Sequence, residues 1–294
     1  MTQDPYRPER RWVRESFQRA AAQYDAAAVL QREVGGRLQE RLEFVRLAPE
    51  RVLDLGAGSG RTTRALMDRY RKARFVALDL APAMLRQARR RAPWLRRLPG
   101  VCADAANLPL AADSFDLVFS NLTLQWLDDL DAVFREVQRV LRPGGLFLFS
   151  SFGPDTLREL RQAWSAADGH THVNAFIDLH DIGDALVRAQ LADPVMEMEE
   201  LRMTYSDVRA LMRDLKTIGA HNVTAGRPRG LTGRGRLRAM TAAYEAHRDA
   251  EGRLPATYEV VYGHAWGTEA QPQRRTGQGE VAIPLHALGR RRPT

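Results

Sequence analysis

Cysteine is nearly absent from the 294-residue sequence, in which Cys102 is the only one. A single cysteine excludes an intrachain disulfide and favours a cytoplasmic protein. No apolar run approaches the roughly 20 residues that a membrane-spanning helix requires, and the polar segment 1–14 lacks the apolar core of a secretory signal. We therefore expect a soluble cytoplasmic protein in which Cys102, beside a strand, is a small buried residue.

Lysine is also scarce. Only Lys72 and Lys216 occur, so the formal net charge of +8 comes almost entirely from arginine. Either an arginine-rich genome or an acidic partner would explain this bias toward arginine. The basic residues do not alternate with exposed aromatics, so we expect no nucleic-acid partner. His170 and His172 have no cysteine or acid at metal-ligand spacing, and we predict no metal site.

The two ends of the chain differ from its middle. Residues 1–48 predict an N-terminal helical segment, because apolar residues recur at helical spacing with one soft break at Gly35-Gly36. Pro49 marks the end of this segment. Residues 269–294 are polar, basic and poor in apolar residues, which predicts a flexible tail.

Between residues 51 and 151, short apolar runs alternate with helical stretches. This alternation predicts a doubly wound α/β fold, in which helices cover both faces of a parallel sheet. A weaker run at Val101-Cys102 predicts one further short strand. Beyond residue 151 we predict more helices and two strands, with a helical substrate cap at about 205–250 inside a domain of residues 49–268. The clear apolar runs are 52–55, 75–78, 115–119 and 146–149.

The strongest local signal is the sequence VLDLGAGSG at residues 52–60, a buried strand that enters a glycine loop and then a helix. Glycines let the backbone approach a ligand closely, but such a loop can also bind phosphate. The loop departs from the dinucleotide fingerprint, because its third glycine, Gly60, comes one residue early. The carboxylate of Asp54 suits a cationic ligand tail better than a pyrophosphate, and S-adenosylmethionine carries such a tail.

Two further acids follow the second and third predicted strands. Asp79 stands at the tip of the run 75–78, where a carboxylate can accept both hydroxyls of a ribose. Ribose occurs in NAD as well, so Asp79 does not choose between cofactors. Asp104, with Ala105, can accept from an adenine amino group, but it can equally cap the following turn.

The glycine loop, the two acids, the run 115–121 and the turn RPGG at 142–145 occur in an order that resembles the class I methyltransferase family over residues 50–151. The resemblance implies a mostly parallel, seven-stranded Rossmann-like sheet with S-adenosylmethionine at the carboxyl ends of the strands. The cofactor-binding residues that it implies are Asp54, Gly56, Ala57, Gly58, Asp79, Leu80, Met84, Asp104, Ala105 and Asn121.

Three stretches, 17–25, 120–126 and 215–222, look like the malonyl-carrier-protein O-methyltransferase family that opens biotin synthesis. This resemblance spans about residues 15–265. It implies a carboxyl methyltransferase that methylates the free carboxylate of a malonyl thioester on an acidic acyl carrier protein, although a coenzyme A thioester stays open; we expect the protein to be a monomer. Residues 152–161 and 255–258 also resemble a sister group, the assembly factors of respiratory complex I that hydroxylate an arginine. Another carboxylic acid or a quinone precursor is a further alternative substrate.

A carboxylate substrate changes what the site must provide. Carboxyl pKa values lie near ~4, so the substrate is already ionised and needs no general base. The site must instead supply alignment, for which a hydroxyl and a cation suffice. Arg227 is equally explained as a solvated loop residue, and Tyr24 as a packing residue. The candidates are Tyr24, Lys216, Arg227 and Arg158; a basic cluster that could meet the carrier protein, or be a solvated helix face, comprises Arg86, Arg89, Arg90, Arg91, Arg96 and Arg97.

Overall fold

The computed structural model describes residues 8–220, 222, 224, 230 and 232–269. Its centre is a seven-stranded sheet with the strand order β3-β2-β1-β4-β5-β7-β6. Strands β1 to β5 are parallel, whereas β7 runs antiparallel to both of its neighbours. The strands are β1 (Arg51–Leu55), β2 (Arg74–Asp79), β3 (Gly100–Cys102), β4 (Phe115–Ser120), β5 (Leu141–Phe152), β6 (Ala192–Tyr205) and β7 (Leu254–Trp266).

Helices cover the sheet on both faces, which confirms the predicted doubly wound α/β fold. One buried cluster packs α3, α4, α5, α7 and α10 against the sheet, and a second packs α6 and α8 against the opposite face. The strands are apolar on both faces for this reason. The helices are α1 (Arg10–Ala20), α2 (Tyr24–Ala27), α3 (Val29–Glu40), α4 (Arg61–Arg69), α5 (Pro82–Arg91), α6 (Leu130–Val140), α7 (Arg158–Ser165), α8 (Leu179–Arg188), α9 (Val208–Thr217) and α10 (Arg234–Glu245), with short 3-10 turns at Arg41–Glu43 and Leu124–Trp126.

The N-terminal segment is helical, but the predicted break at Gly35-Gly36 was wrong. Helix α3 runs through both glycines, and the chain leaves the helical conformation at residues 21–23 and at Ala28 instead. A Cβ atom on Gly35 would lie 3.0 Å from Asn121 Nδ2. Gly35 therefore permits close packing of α3 on the loop after β4, and the break at 21–23 turns Tyr24 toward the end of the sheet.

The sequence also led to expectations for Cys102, the substrate cap and the C-terminal tail. Cys102 is exposed, not buried as predicted, because β3 is an edge strand of the sheet. Helices α9 and α10 occupy the region in which a substrate cap was predicted, and the predicted tail lies outside the described residues from position 270 onward. Among the described helices, none combines the length and the apolar character needed to cross a membrane.

Candidate active site

The glycine loop lies at the carboxyl end of β1 and is held against the end of β2. The backbone N–H groups of Gly56 and Ala57 donate to the carbonyl oxygen of Leu78 at 2.8 and 2.9 Å. Gly56 has a φ of +77°, and a Cβ atom there would lie 2.0 Å from Thr123 Oγ1. Only glycine fits this position, so the loop brings bare backbone to the floor of a cavity.

Asp79 ends β2 and faces the same cavity. Its Oδ2 accepts from the N–H of Gly58 at 2.9 Å and its Oδ1 accepts from the N–H of Ala81 at 2.7 Å. These two bonds orient the carboxylate and leave further lone pairs on each oxygen for a ligand. Burial raises the pKa of Asp79 to about 6, and the two backbone hydrogen bonds oppose that rise. The group is therefore mostly ionised at neutral pH.

Asp104 follows β3 and caps the following turn, which is one of the two roles that the sequence left open. Its Oδ1 caps the following turn by accepting from the N–H of Ala106 at 2.9 Å, and its other oxygen pairs with Arg10 of α1. Arg10 also bonds Asp128 at 2.9 Å. Arg10 therefore links the two carboxylates of Asp104 and Asp128.

These groups surround a cavity of about 100 Å³. Arg10 bridges two wall residues across it, which explains a volume below the roughly 300–1,000 Å³ of typical ligand sites. Among the described lining residues, three carboxylates face the single cation of Arg10. This balance suits a phosphate-free, cationic cofactor such as S-adenosylmethionine. The structure places the following predicted residues on the wall: Gly56, Gly58, Asp79, Leu80, Met84, Asp104, Ala105 and Asn121.

Two predicted cofactor residues, Asp54 and Ala57, do not lie on this wall. Asp54 is only 1% exposed, and its carboxylate accepts from the hydroxyl of Thr63 in the first turn of α4. Ala57, within the loop, is also buried. The carboxylate of Asp54 thus ties α4 to β1, and its burial raises its pKa to about 7.

We expect Asp54→Asn to stabilise the cofactor-free protein increasingly as pH rises from 5 to 8. The pKa of Asp54 is about 7 when folded against an ordinary value of 3.8, so folding takes up a proton between these values and stability falls as pH rises through that window. Asparagine keeps an oxygen for Thr63 and removes this penalty. Thermal unfolding at pH 5 and pH 8 should show a variant-minus-wild-type difference that grows by several degrees; a difference that stays constant with pH would contradict the prediction.

A larger cavity of about 720 Å³ adjoins the first. Both cavities are lined by Phe17, Tyr24, Leu122 and Trp126. The rings of Phe17 and Trp126 meet edge to face with centroids 5.2 Å apart, a favourable arrangement for aromatic pairs. The two cavities therefore adjoin at these four side chains, which are mostly apolar.

Tyr24 is the polar group at this junction. Burial and the neighbouring carboxylates of Asp79 and Asp25 raise the pKa of Tyr24 well above its ordinary value. Its hydroxyl stays protonated at neutral pH and can donate a hydrogen bond to an anion in either cavity. Helix α2 presents this side chain because the chain turns at residues 21–23.

The three cations predicted to hold the substrate lie in different places relative to the larger cavity. Lys216 of α9 lines the larger cavity, and so does Arg19 of α1, which the sequence reasoning missed although it lies inside the stretch 17–25. Arg158 does not line the cavity, because it bonds Glu200 at 2.9 Å and has two further carboxylates within 4.0 Å. Arg227 lies outside the described residues.

Two arginines of the basic cluster of residues 86–97 are bound within the fold. Arg91 pairs with Asp25, and Arg96 donates to the carbonyl oxygen of Ala73 at 2.7 Å. Arg96 and Arg97 also line a cavity with Arg51 and Arg74, the first residues of β1 and β2. This end of the cluster therefore lies at the opposite edge of the sheet from Asp79.

A seven-stranded sheet with one antiparallel strand, a glycine loop after β1 and carboxylates after β2 and β3 together define a class I S-adenosylmethionine-dependent methyltransferase. A family model described as a methyltransferase domain matches residues 53–149. Among solved structures, the YcgJ protein of Bacillus subtilis has a TM-score of 0.57 at 19% identity, covering 79% of this chain and 98% of its own, which supports the fold alone.

Sequence relatives are much closer. The malonyl-[acyl-carrier protein] O-methyltransferase of Halorhodospira halophila is 55% identical over 285 residues, covering 97% of each chain. The protein of the same name from Laribacter hongkongensis is 55% identical over 282 residues, covering 93% of this chain and 95% of its own. The chain belongs to the malonyl-[acyl-carrier protein] O-methyltransferase family.

Proposed function

We propose that this enzyme transfers a methyl group from S-adenosylmethionine to the free carboxylate of malonyl-acyl carrier protein. The observation that carries the proposal is that the two cavities adjoin, with Tyr24 among the residues that line both. The names of the relatives at 55% identity support the substrate, and they do not favour the arginine hydroxylase alternative.

The chemistry requires positioning and no proton transfer. S-adenosylmethionine, held by the residues of the smaller cavity, would supply a methyl carbon on a positive sulfur; a carboxylate oxygen would bond to that carbon as the carbon–sulfur bond breaks, and its electron pair would stay on sulfur. The junction wall of Phe17, Leu122 and Trp126 excludes water from this encounter. Attraction between the carboxylate and the sulfonium is stronger in such a low-dielectric site than in water, and alignment supplies much of the rate.

The first test is methyl transfer itself. Incubation of labelled S-adenosylmethionine with malonyl-carrier protein should add one methyl group, measured by intact mass, whereas acetyl-carrier protein, which lacks the carboxylate, should gain none. Malonyl-coenzyme A in a parallel reaction shows whether the carrier protein is required. Transfer to none of the carboxylate thioesters, with cofactor binding intact, would overturn the proposal.

We expect Tyr24→Phe to lower kcat/KM for malonyl-carrier protein by about tenfold to a hundredfold, because a hydrogen bond to a charged group contributes about 1.5–3 kcal/mol. The phenyl ring keeps the packing against Phe17, whose centroid lies 6.4 Å away. The dissociation constant for S-adenosylmethionine, measured by calorimetry, should change little. Tyr70→Phe, directly after α4, is the matched control; equal losses in both variants would exclude a specific role for Tyr24.

Lys216 and Arg19 are exposed residues of the larger cavity wall, and we propose that they attract the anionic substrate at its entrance. Exposed charge pairs contribute little, so Lys216→Met should raise KM about twofold to fivefold. Salt should shrink this difference. Lys72→Met, between α4 and β2, is the control and should leave KM unchanged; a Lys216→Met effect that persists at high salt would argue for a buried contact instead.

A further inference from the structure

Gln125 is a buried amide on the wall of the larger cavity. It lies in the short turn after β4, is 7% exposed and lines the larger cavity. Its Nε2 donates to the carbonyl oxygen of Leu122 at 2.8 Å. Within the part of the chain that the structure describes, its Oε1 is buried and accepts no hydrogen bond. A buried acceptor without a donor costs about 1–3 kcal/mol, so such groups call for an explanation.

The orientation of this amide follows from its surroundings. The carbonyl oxygen of Leu122 can only accept, so the amide nitrogen of Gln125 must face it and the oxygen must point away. Leu122 itself is fixed, with a φ of +50° and an N–H that donates to Ser150 Oγ at 3.0 Å. The free oxygen of Gln125 is therefore held in place by the loop.

A second amide oxygen shares this situation. Gln31 of α3 lines the same cavity, and its Oε1 is also buried without a partner among the described residues. The backbone carbonyl of Gln31 accepts from Asn121 Nδ2 at 3.0 Å. Since Gln31 is tied to Asn121 and Gln125 is tied to Leu122, the two glutamines belong to one region of the wall.

Two uncharged acceptors select a ligand that carries N–H or O–H donors. A carboxylate or a phosphate offers only acceptors and gains nothing from them. Resting on the proposed function, the substrate has such donors in one part: the pantetheine arm, whose two amide groups follow the thioester sulfur. The malonyl end must reach the junction at Tyr24, which leaves the arm beside the glutamines in the larger cavity.

We propose that Gln125 and Gln31 accept hydrogen bonds from the amide N–H groups of the pantetheine arm, with Gln125 binding the amide nearest the sulfur. The arm then fixes the distance between the thioester and the junction. Carrier protein and coenzyme A share this arm, so the same contact serves either source. The glutamines are positioning residues, because they act through the arm and do not touch the reacting carboxylate.

The test compares two small substrates in wild-type enzyme and in Gln125→Met. One is the malonyl thioester of N-acetylcysteamine, and the other is its analogue with a CH₂ group in place of the N–H. Wild-type enzyme should prefer the amide by about tenfold in kcat/KM, and Gln125→Met should reduce this preference to within about twofold. Malonyl-carrier protein and malonyl-coenzyme A should lose the same factor in the variant, which identifies the arm as the shared element.

The outcomes separate the contact from the reaction. Methylation of neither small substrate nor malonyl-carrier protein would overturn the proposed function, whereas equal methylation of amide and analogue by wild-type enzyme would overturn only the contact. A weaker S-adenosylmethionine affinity in Gln125→Met, with the amide preference unchanged, would assign the oxygen to the cofactor. Gln31→Met provides a second, independent variant if Gln125→Met unfolds, and it should weaken malonyl-coenzyme A more than the N-acetylcysteamine thioester, which has only one amide.

Discussion

Replacing Asp79 with asparagine is expected to weaken S-adenosylmethionine binding by about a hundredfold or more. Each carboxylate oxygen accepts a backbone N–H, from Gly58 or Ala81, and faces the cofactor cavity. Asparagine turns one of these acceptors into a donor that opposes an N–H group and a ribose hydroxyl. Hydrogen bonds to charged groups contribute about 1.5–3 kcal/mol each, and two such losses give the expected change.

Calorimetric titration of the cofactor measures this effect, and Asp116→Asn is its matched control. Asp116 of β4 also accepts two backbone N–H groups, those of Glu50 and Arg51 at 2.9 and 2.8 Å, but at the amino end of the sheet. Its loss should lower stability and leave cofactor affinity unchanged. An Asp79→Asn dissociation constant within threefold of wild type would show that the ribose is held elsewhere.

The same carboxylate gives cofactor binding a pH dependence. Burial raises the pKa of Asp79 to about 6, and protonation removes both the negative charge and an acceptor. We therefore expect wild-type affinity for S-adenosylmethionine to fall as pH decreases from 7 to 5. Asp79→Asn has no proton to gain at this position, so its weaker binding should vary less over the same range.

The fold could be predicted from the sequence because its signals are local. The apolar runs, the glycine loop at 52–60 and the acids after two strands depend on neighbours within a few residues. The misplaced break at Gly35 shows the limit of such signals. A side chain at Gly35 would crowd Asn121, which lies far away in the chain. The helix sequence around Gly35 therefore does not reveal why a glycine stands there.

The residues that line the smaller cavity were easier to predict from the sequence than those that line the larger one. Most of the predicted cofactor residues follow strands whose carboxyl ends meet at one edge, so strand order alone brings them together. The larger cavity instead joins α1, α3, the turn after β4 and α9. Arg19 and Gln125 lie inside the stretches 17–25 and 120–126, but the sequence does not indicate which side chains of these stretches line a cavity. The pairing of Arg158 with Glu200 was equally hidden, because Glu200 comes from a distant strand.

Gly60→Ala is expected to lower the free energy of unfolding by about 3–5 kcal/mol, whereas Gly58→Ala should cost about 1–2 kcal/mol. Both glycines have positive φ, +77° and +53°, so both substitutions carry the strain of a left-handed residue. They differ in what surrounds them. A Cβ atom on Gly60 would lie 2.4 Å from the Cα atom of Ala88 in α5, but one on Gly58 would meet nothing within 4 Å.

Urea denaturation of the two variants separates strain from collision. Because the colliding atom of Ala88 is backbone, it cannot move without shifting α5, which also carries the cofactor-wall residue Met84. Gly60→Ala should therefore weaken cofactor binding as well. Adding Ala88→Gly removes the side-chain contact at 2.6 Å but leaves the backbone contact at 2.4 Å, so it should restore only part of the lost stability. Equal costs for Gly58→Ala and Gly60→Ala would mean that α5 yields easily, and that φ strain alone explains why the loop needs glycine.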